Sequence, residues 1–296
     1  MNNKSVVCVI GVGNIGKHHV NSLMSSGHIV YMIDPINPNI KSAFWHPELN
    51  KNILREADIF VISTTSANHY QSLKKILDES NNKIVVLEKP LFCNNHDYEE
   101  FNNISIARND CVFYINLPIY HSILPNLVKN NNDLGKLLEY NVSGSDWGLG
   151  CNILHDISVI DCILDIDKFI IDKLIWKLKS FEESKRRGYL EVYGDLKFNL
   201  NNLKVEISCI KNSELKKKIF MKFENGFIKL NFFDEIIEIT NKKGHVTRHE
   251  IEIPKASKTT GDIISKISNG KSPIPLAKKF IKISQILYNE ISKNIN

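Results

Sequence analysis

The strongest constraint on the fold is an alternation of short apolar segments with helical ones in the first third of this 296-residue chain. The apolar segments are rich in β-branched residues, are five to seven residues long, and each is followed by a helix-like stretch or a turn. The predicted strands are 5–10, 29–33, 57–63, 83–87 and 111–115, and the predicted helices between them include 70–80 and 97–107. Strands that are apolar on both sides are typical of a parallel sheet covered by helices on both faces.

The first of these strands runs directly into Gly11-Val12-Gly13-Asn14-Ile15-Gly16, which has the GxGxxG pattern, and a helix follows. In this context Gly11 permits a tight turn, Gly13 lets the backbone approach a pyrophosphate, and Gly16 allows close packing of helix and strand. The helix N-terminus then offers free N–H groups to phosphate. The pattern predicts a doubly wound Rossmann sheet that binds a dinucleotide.

Asp34 ends the second predicted strand, 18 residues after Gly16. A carboxylate at this position accepts hydrogen bonds from both hydroxyls of an adenosine ribose, and it would repel a 2′-phosphate. Without an adjacent Arg, the position favours NAD(H) over NADP(H). The alternative is that Asp34 is only a turn residue before Pro35.

The pattern changes after Pro118, where the chain becomes a succession of strands from 173 to 253 joined by hairpin signals such as Glu224-Asn225-Gly226. A strand at 137–143 and a helix at 152–164, with Asn152 as its N-cap, precede them. These features predict a Rossmann domain at 1–118 and an α+β domain with a largely antiparallel open sheet at 119–296. The apolar stripe of the terminal helix 275–293 makes it a candidate for packing back on the first domain.

Composition excludes several classes of protein. The net charge is only +5, few of the basic residues are Arg, and the basic clusters 185–187 and 216–218 are short, so no nucleic-acid partner is expected. The uncharged stretch 111–128 contains Pro118, Pro125 and His121, which argues against a membrane span. Six widely spaced cysteines give neither a metal motif nor a disulfide framework, so we expect no metal and a cytoplasmic location.

Two further segments carry candidate chemistry. Glu88-Lys89-Pro90 leaves the strand 83–87 at the carboxyl edge of the sheet, where ligands bind, so Lys89 can reach a substrate oxygen and stabilise negative charge on it. The alternative is a surface lysine that closes a strand. Pro90 restricts Lys89 to extended geometry, and the bond between them is a candidate for the cis form.

The second segment is Trp147–Asp156, in which a glycine-rich loop enters a helix with His155 in its first turn. An imidazole there can take or give a proton, although a single histidine at a helix start is more often structural. Cys151 and Asn152 are spaced to share the helix face of His155, whereas Asp156 points away. His18 and His19 are predicted to be helix-face residues near the cofactor, and His69 to order a loop over its adenosine half.

Together the GVGNIG–KHH opening, Asp34, the segment STTSANHYQSLKKIL, EKPL at 88–91 and the N-x-x-H-D helix resemble the GFO/IDH/MocA oxidoreductase family. The resemblance implies a Rossmann domain followed by an α/β domain that forms oligomer contacts. It also implies that Lys89 and His155 are catalytic and that the substrate contacts Lys89, Trp147, Cys151, Asn152 and His155. The cofactor contacts implied are Gly11, Gly13, Asn14, Ile15, Gly16, Asp34, Thr64, Thr65, His69, Glu88 and Lys89.

One departure from the family pattern concerns Cys151, because the family usually has an Asp four residues before the catalytic His. A thiol is a poor substitute for a carboxylate that orients a histidine or holds a hydroxyl. The sequence therefore predicts an NAD(H)-dependent oxidoreductase of a sugar-like substrate that forms a homodimer or homotetramer through its C-terminal sheet. A non-catalytic NAD(H)-binding regulator and a reductase like biliverdin reductase are the alternatives.

Overall fold

A computed structural model describes residues 4–184, 188–293 and 295, so the basic cluster 185–187 lies outside the described residues. Eight α-helices are assigned within them: α1 Asn14–Ser25, α2 Lys51–Glu56, α3 Ser66–Glu79, α4 Asn95–Ala107, α5 Leu124–Lys129, α6 Leu149–Leu164, α7 Ala256–Ser268 and α8 Ala277–Ser292. No helix in this part of the chain is both long and apolar enough to cross a membrane.

The first sheet has six parallel strands in the order β3-β2-β1-β4-β5-β6. They are β1 Val6–Ile10, β2 Ile29–Ile33, β3 Phe44–His46, β4 Ile59–Ile62, β5 Ile84–Leu87 and β6 Val112–Ile115. This order is that of the doubly wound Rossmann sheet, so the predicted fold class is confirmed. The sequence missed β3 and α2, because three- and six-residue elements carry too little periodicity to be recognised.

The chain divides into two compact units: Met1–His121 with Pro254–Gln285, and Ser122–Ile253 with Ile286–Asn296. The sequence placed the boundary at residue 118 and named only the terminal helix 275–293 as a candidate for packing back on the first domain, whereas the structure places Pro254–Gln285 in the first unit. The reason lies in packing, because Ile263, Ile264 and Ile267 of α7 join the apolar core around β1 and α1.

Close approach of α7 to α1 depends on Gly261, where an added Cβ would lie 2.5 Å from the carbonyl oxygen of Ser22. The Gly261 N–H donates to Ser22 Oγ at 3.0 Å. A glycine with no side chain to pack gives no signal in a hydrophobic pattern, so the sequence could not show which surface α7 covers.

The second unit contains an eight-stranded sheet in the order β14-β13-β12-β11-β7-β10-β9-β8, in which only β7 and β10 are parallel neighbours. This agrees with the predicted, largely antiparallel sheet. Its strands are β7 Leu137–Ser145, β8 Ile171–Glu183, β9 Leu190–Leu200, β10 Leu203–Ile210, β11 Lys218–Phe223, β12 Gly226–Asn231, β13 Ile236–Asn241 and β14 Val246–Glu250. Alternate residues of β10 are buried, which marks one face of the sheet as core.

Candidate active site

The glycine loop between β1 and α1 has the geometry of a phosphate-binding turn. Gly11 has a φ of +85°, and an added Cβ would lie 2.6 Å from the backbone nitrogen of Thr64. A Cβ at Gly16 would lie 2.0 Å from the carbonyl oxygen of Gly11, so α1 packs directly on the loop. At Gly13, by contrast, no described atom lies within 4 Å of the Cβ position, which leaves open space against the backbone. Asn14 and Ile15 begin α1 here, and the Ile15 side chain is 40% exposed.

Asp34 is partly buried and fixes the same loop. Its carboxylate accepts the Val12 N–H at 2.8 Å and the Ile36 N–H at 3.0 Å. Asp34 is therefore both a turn residue and an anchor of the glycine loop. A carboxylate has about four acceptor positions, so two remain for ribose hydroxyls.

Helix α3 begins shortly after the end of β4, the strand beside β1. Thr64 and Thr65 are partly buried, and Asn68 donates to Thr65 Oγ1 at 3.2 Å. His69 is 1% exposed, with Nδ1 2.8 Å from the Leu91 carbonyl oxygen and Nε2 3.2 Å from that of Thr64. This histidine ties the Thr64 turn to the segment that follows Glu88-Lys89-Pro90.

Glu88 and Lys89 follow β5 at the carboxyl edge of the sheet, and the Lys89-Pro90 bond is cis. Glu88 is buried, and its carboxylate accepts from the Asn116 amide and from the Lys89 N–H at 3.3 Å. Burial alone raises the pKa of Glu88. The hydrogen bonds from His19 and Asn116 and the positive charges of His19 and Lys89 outweigh burial and lower that pKa to about 2.

His19 was expected on a helix face near the cofactor, but the structure buries it completely. Its Nε2 lies 2.9 Å from Glu88 Oε1, and its Nδ1 lies 2.8 Å from Thr260 Oγ1 of α7. His18 is exposed. Sequence reasoning missed this arrangement because the helical periodicity around residue 19 does not distinguish burial against α7 from exposure.

In the second unit, α6 begins at Leu149 and not at the predicted Asn152. Gly148 is the N-cap with a φ of +69°, so His155 lies in the second turn and not in the first. The Asn152 amide donates to the Trp147 carbonyl oxygen at 2.7 Å, and the Trp147 indole N–H donates to that of Ser208 at 3.2 Å.

Cys151, Asn152 and His155 are all partly exposed, whereas Ile153, Leu154, Asp156 and Ile157 are buried. The helix therefore presents the three predicted substrate residues on one face, as the spacing predicted.

Asp156, the residue after His155, is fully buried, and sequence reasoning had given it no role. The Lys217 ammonium lies 2.9 and 3.0 Å from its two carboxylate oxygens, and 4.2 Å from the centre of the Trp147 ring. Burial raises the pKa of Asp156, and the opposing effects of Lys217 and Tyr140 do not cancel that rise.

The described residues contain no cluster of three or more His, Cys, Asp or Glu side chains that could hold a metal. The groups at the carboxyl edge of the first sheet do fit a dinucleotide: a glycine loop with open space at Gly13, the free N–H groups of α1, and the Asp34 carboxylate.

Residues 6–116 match the model of an oxidoreductase family with an NAD-binding Rossmann fold, GFO/IDH/MocA. Over this domain the chain is similar to the GFO/IDH/MocA oxidoreductase family. The match covers β1 through Asn116 and therefore includes Glu88, Lys89 and the whole glycine loop. A search of curated protein sequences found no match to the chain.

Solved structures resemble the chain over nearly its full length. UDP-N-acetylglucosamine 3-dehydrogenase from Acidithiobacillus ferrooxidans is 11% identical with a TM-score of 0.73, and the match covers 99% of this chain and 100% of that one. Biliverdin reductase from Synechocystis, solved with biliverdin and NADP⁺, is 12% identical with a TM-score of 0.75 and coverages of 97% and 99%. An oxidoreductase from Agrobacterium radiobacter, solved with NAD⁺, L-tartaric acid and magnesium, is 12% identical with a TM-score of 0.76 and coverages of 98% and 97%. At these identities the likeness establishes a shared fold.

Proposed function

We propose that the chain is an NAD(H)-dependent enzyme that transfers hydride between the nicotinamide and a carbinol or ketone carbon of a sugar-like substrate. The observation that carries this proposal is the position of Lys89, which follows β5 at the same sheet edge as the glycine loop and Asp34. Ligands of open parallel sheets bind along that edge.

Oxidation of a carbinol removes a hydride from carbon and a proton from oxygen. The nicotinamide, when bound, would accept that hydride. Lys89 donates a hydrogen bond to the substrate oxygen and stabilises the negative charge that develops there. His155 takes the proton, or returns it in the reverse direction. Trp147, Cys151 and Asn152 complete the substrate contacts, with Asn152 holding a hydroxyl in place of the usual carboxylate.

We propose NAD(H) as the preferred cofactor because Asp34 is a carboxylate that keeps two acceptor positions for ribose hydroxyls. The same carboxylate would repel a 2′-phosphate. Replacing Asp34 with Asn, which keeps an acceptor oxygen for the Val12 N–H but removes the charge, should therefore weaken NADH binding more than NADPH binding. Equal weakening of both would contradict the assignment, and fluorescence titration measures both affinities.

We also propose a cytoplasmic homodimer or homotetramer that associates through the second sheet, with neither nucleic acid nor membrane as a partner. Light scattering at several protein concentrations measures the mass. A monomer at micromolar concentration would contradict the association.

The substrate class is tested by absorbance at 340 nm, with NAD⁺ and with NADH, across nucleotide sugars, amino sugars, cyclitols and their keto forms. A nucleotide sugar belongs in the panel because one similar structure is a UDP-N-acetylglucosamine 3-dehydrogenase. Turnover with one class supports the proposal. A silent panel from protein that binds NADH overturns it in favour of a regulator, and turnover with biliverdin alone overturns the sugar assignment.

A further inference from the structure

A buried chain of hydrogen bonds connects α7 to the candidate catalytic lysine. It runs from Thr260 Oγ1 to His19 Nδ1 at 2.8 Å, and from His19 Nε2 to Glu88 Oε1 at 2.9 Å. Glu88 Oε2 then accepts the backbone N–H of Lys89 at 3.3 Å. The His19 side chain is 1% exposed and that of Glu88 12%, so solvent contributes little to holding either group.

The chemistry of Thr260, His19 and Glu88 limits which of them can donate each hydrogen bond. A carboxylate only accepts hydrogen bonds, so His19 Nε2 carries the proton that faces Glu88. A hydroxyl can both donate and accept, so Thr260 pairs with His19 Nδ1 whether the ring is neutral or charged. Without the hydroxyl, Nδ1 would face a buried position with no partner there, and the orientation of the ring would no longer be set from both sides.

Other contacts attach α7 to the first unit independently of Thr260. Gly261 bonds Ser22, Asp262 lies 2.5 Å from His121, and Ile263 and Ile264 are in the core. Loss of one hydroxyl therefore leaves α7 in place, which allows the role of the hydrogen bond to be separated from that of the helix.

We propose that Thr260 and His19 are positioning residues for Lys89 and act on it through Glu88. They keep the Glu88 carboxylate directed at the Lys89 backbone, so that the lysine side chain leaves the sheet edge in one orientation. The proposal rests on the catalytic role of Lys89 in the proposed function.

The test compares Thr260→Val, which keeps the side-chain shape but lacks the hydroxyl, with Thr260→Ser, which restores it. Thr259→Val is the matched control, because the Thr259 hydroxyl donates to the Lys255 carbonyl oxygen of its own helix at 3.0 Å. We expect Thr260→Val to lower kcat about tenfold, since small misplacements of a reacting group have effects of this order or larger. NADH affinity should remain within about twofold, because the glycine loop and Asp34 are untouched, and Thr260→Ser and Thr259→Val should behave like the wild type.

A second measurement needs no turnover. The rate at which Lys89 is acetylated by an amine reagent, followed by peptide mass spectrometry, reports how firmly its ammonium is held. Thr260→Val should raise this rate about threefold relative to the other lysines, because the Lys89 side chain would no longer be held in one orientation. Thr260→Ser should restore the wild-type rate.

The outcomes separate the two claims. Wild-type protein without turnover overturns the proposed function, and the acetylation rates then decide the positioning claim. Wild-type turnover combined with unchanged kcat and unchanged Lys89 reactivity in Thr260→Val overturns the positioning claim alone. Equal losses in Thr260→Val and Thr259→Val would show a general effect on α7 and would also overturn it.

Discussion

The two proposed reacting side chains, Lys89 and His155, each have a buried carboxylate as their neighbour in sequence. The two carboxylates are stabilised in different ways. Glu88 precedes Lys89 and accepts hydrogen bonds from His19 and Asn116. These bonds and the positive charges of His19 and Lys89 lower the pKa of Glu88 to about 2 against the effect of burial. Asp156 follows His155 and pairs with Lys217, and burial leaves the pKa of Asp156 above its usual value.

The two carboxylates differ in the number of groups that stabilise them. The donors to Glu88 come from α1, from the end of β6 and from the backbone, whereas one cation supports Asp156. Lys217 is itself held between Trp147, 4.2 Å from the ring centre, and Phe232, at 5.0 Å. We therefore expect the stability of the fold to tolerate the loss of a single donor to Glu88, but not the loss of Lys217 beside Asp156.

The largest effect is expected when a reacting side chain is itself replaced while its buried neighbour Asp156 stays in place. His155→Asn should lower turnover by about 10²–10⁴-fold, because the proton transfer loses its acceptor, with little change in melting temperature. Steady-state kinetics and thermal unfolding measure the two quantities. A loss under about fivefold in a folded variant would remove His155 from the mechanism.

Removal of the single cation comes next. Lys217→Met should lower the free energy of unfolding by about 3 kcal/mol, because the Asp156 carboxylate would be left buried without its partner. Urea unfolding measures the loss. Lys222→Met is the matched control, since that ion pair with Glu139 is half exposed and should contribute less than about 1 kcal/mol. Equal losses of unfolding free energy in the two variants would contradict the dependence of Asp156 on Lys217.

Glu88→Gln should have a smaller effect, about 2 kcal/mol at pH 7, because the amide keeps an acceptor oxygen but loses the charge. The folded-state pKa is lowered from 4.5 to about 2. The stabilisation is therefore fully present above pH 4.5 and is lost as the pH falls toward 2. Urea unfolding between pH 7 and pH 3 should show the wild type approaching the variant on acidification, and a constant gap would contradict this.

The smallest effect is expected at Asp156, where the free energy of unfolding should change with pH in the direction opposite to that for Glu88. Because burial raises the pKa of this acid above 3.8, the folded state gains stability as the pH falls through the raised value. The gap in unfolding free energy between wild type and Asp156→Asn should therefore widen on acidification, where the gap for Glu88→Gln narrows. The same urea series measures both, and slopes of the same sign would refute the comparison.

The sequence predicts the first unit well because its strands are continuous apolar runs and its glycines have a fixed meaning. The five strands expected in the first third all occur, and the turn at Gly11 needs the positive φ that glycine allows. The position of Lys89 at the sheet edge followed from its place directly after a strand. Asn116 directly follows β6 and could have been found by the same rule.

The supporting groups could not be predicted, because each depends on a contact between distant segments. Thr260 lies 241 residues after His19, and Lys217 lies 61 residues after Asp156. Periodicity shows that a residue lies on a helix face but not what covers that face. The start of α6 was misplaced for a local reason, since Gly148 caps the helix in a left-handed conformation that the sequence alone did not distinguish from a loop.

In the proposed function, Lys89 assists hydride transfer at the carboxyl edge of the first sheet. The most direct test of this role compares wild type and Lys89→Ala at matched NADH occupancy, with occupancy fixed by fluorescence titration and turnover followed at 340 nm on a substrate that the wild type accepts. At matched occupancy we expect a loss of turnover of about 10²–10³-fold in the variant. Wild-type turnover in Lys89→Ala would contradict this role.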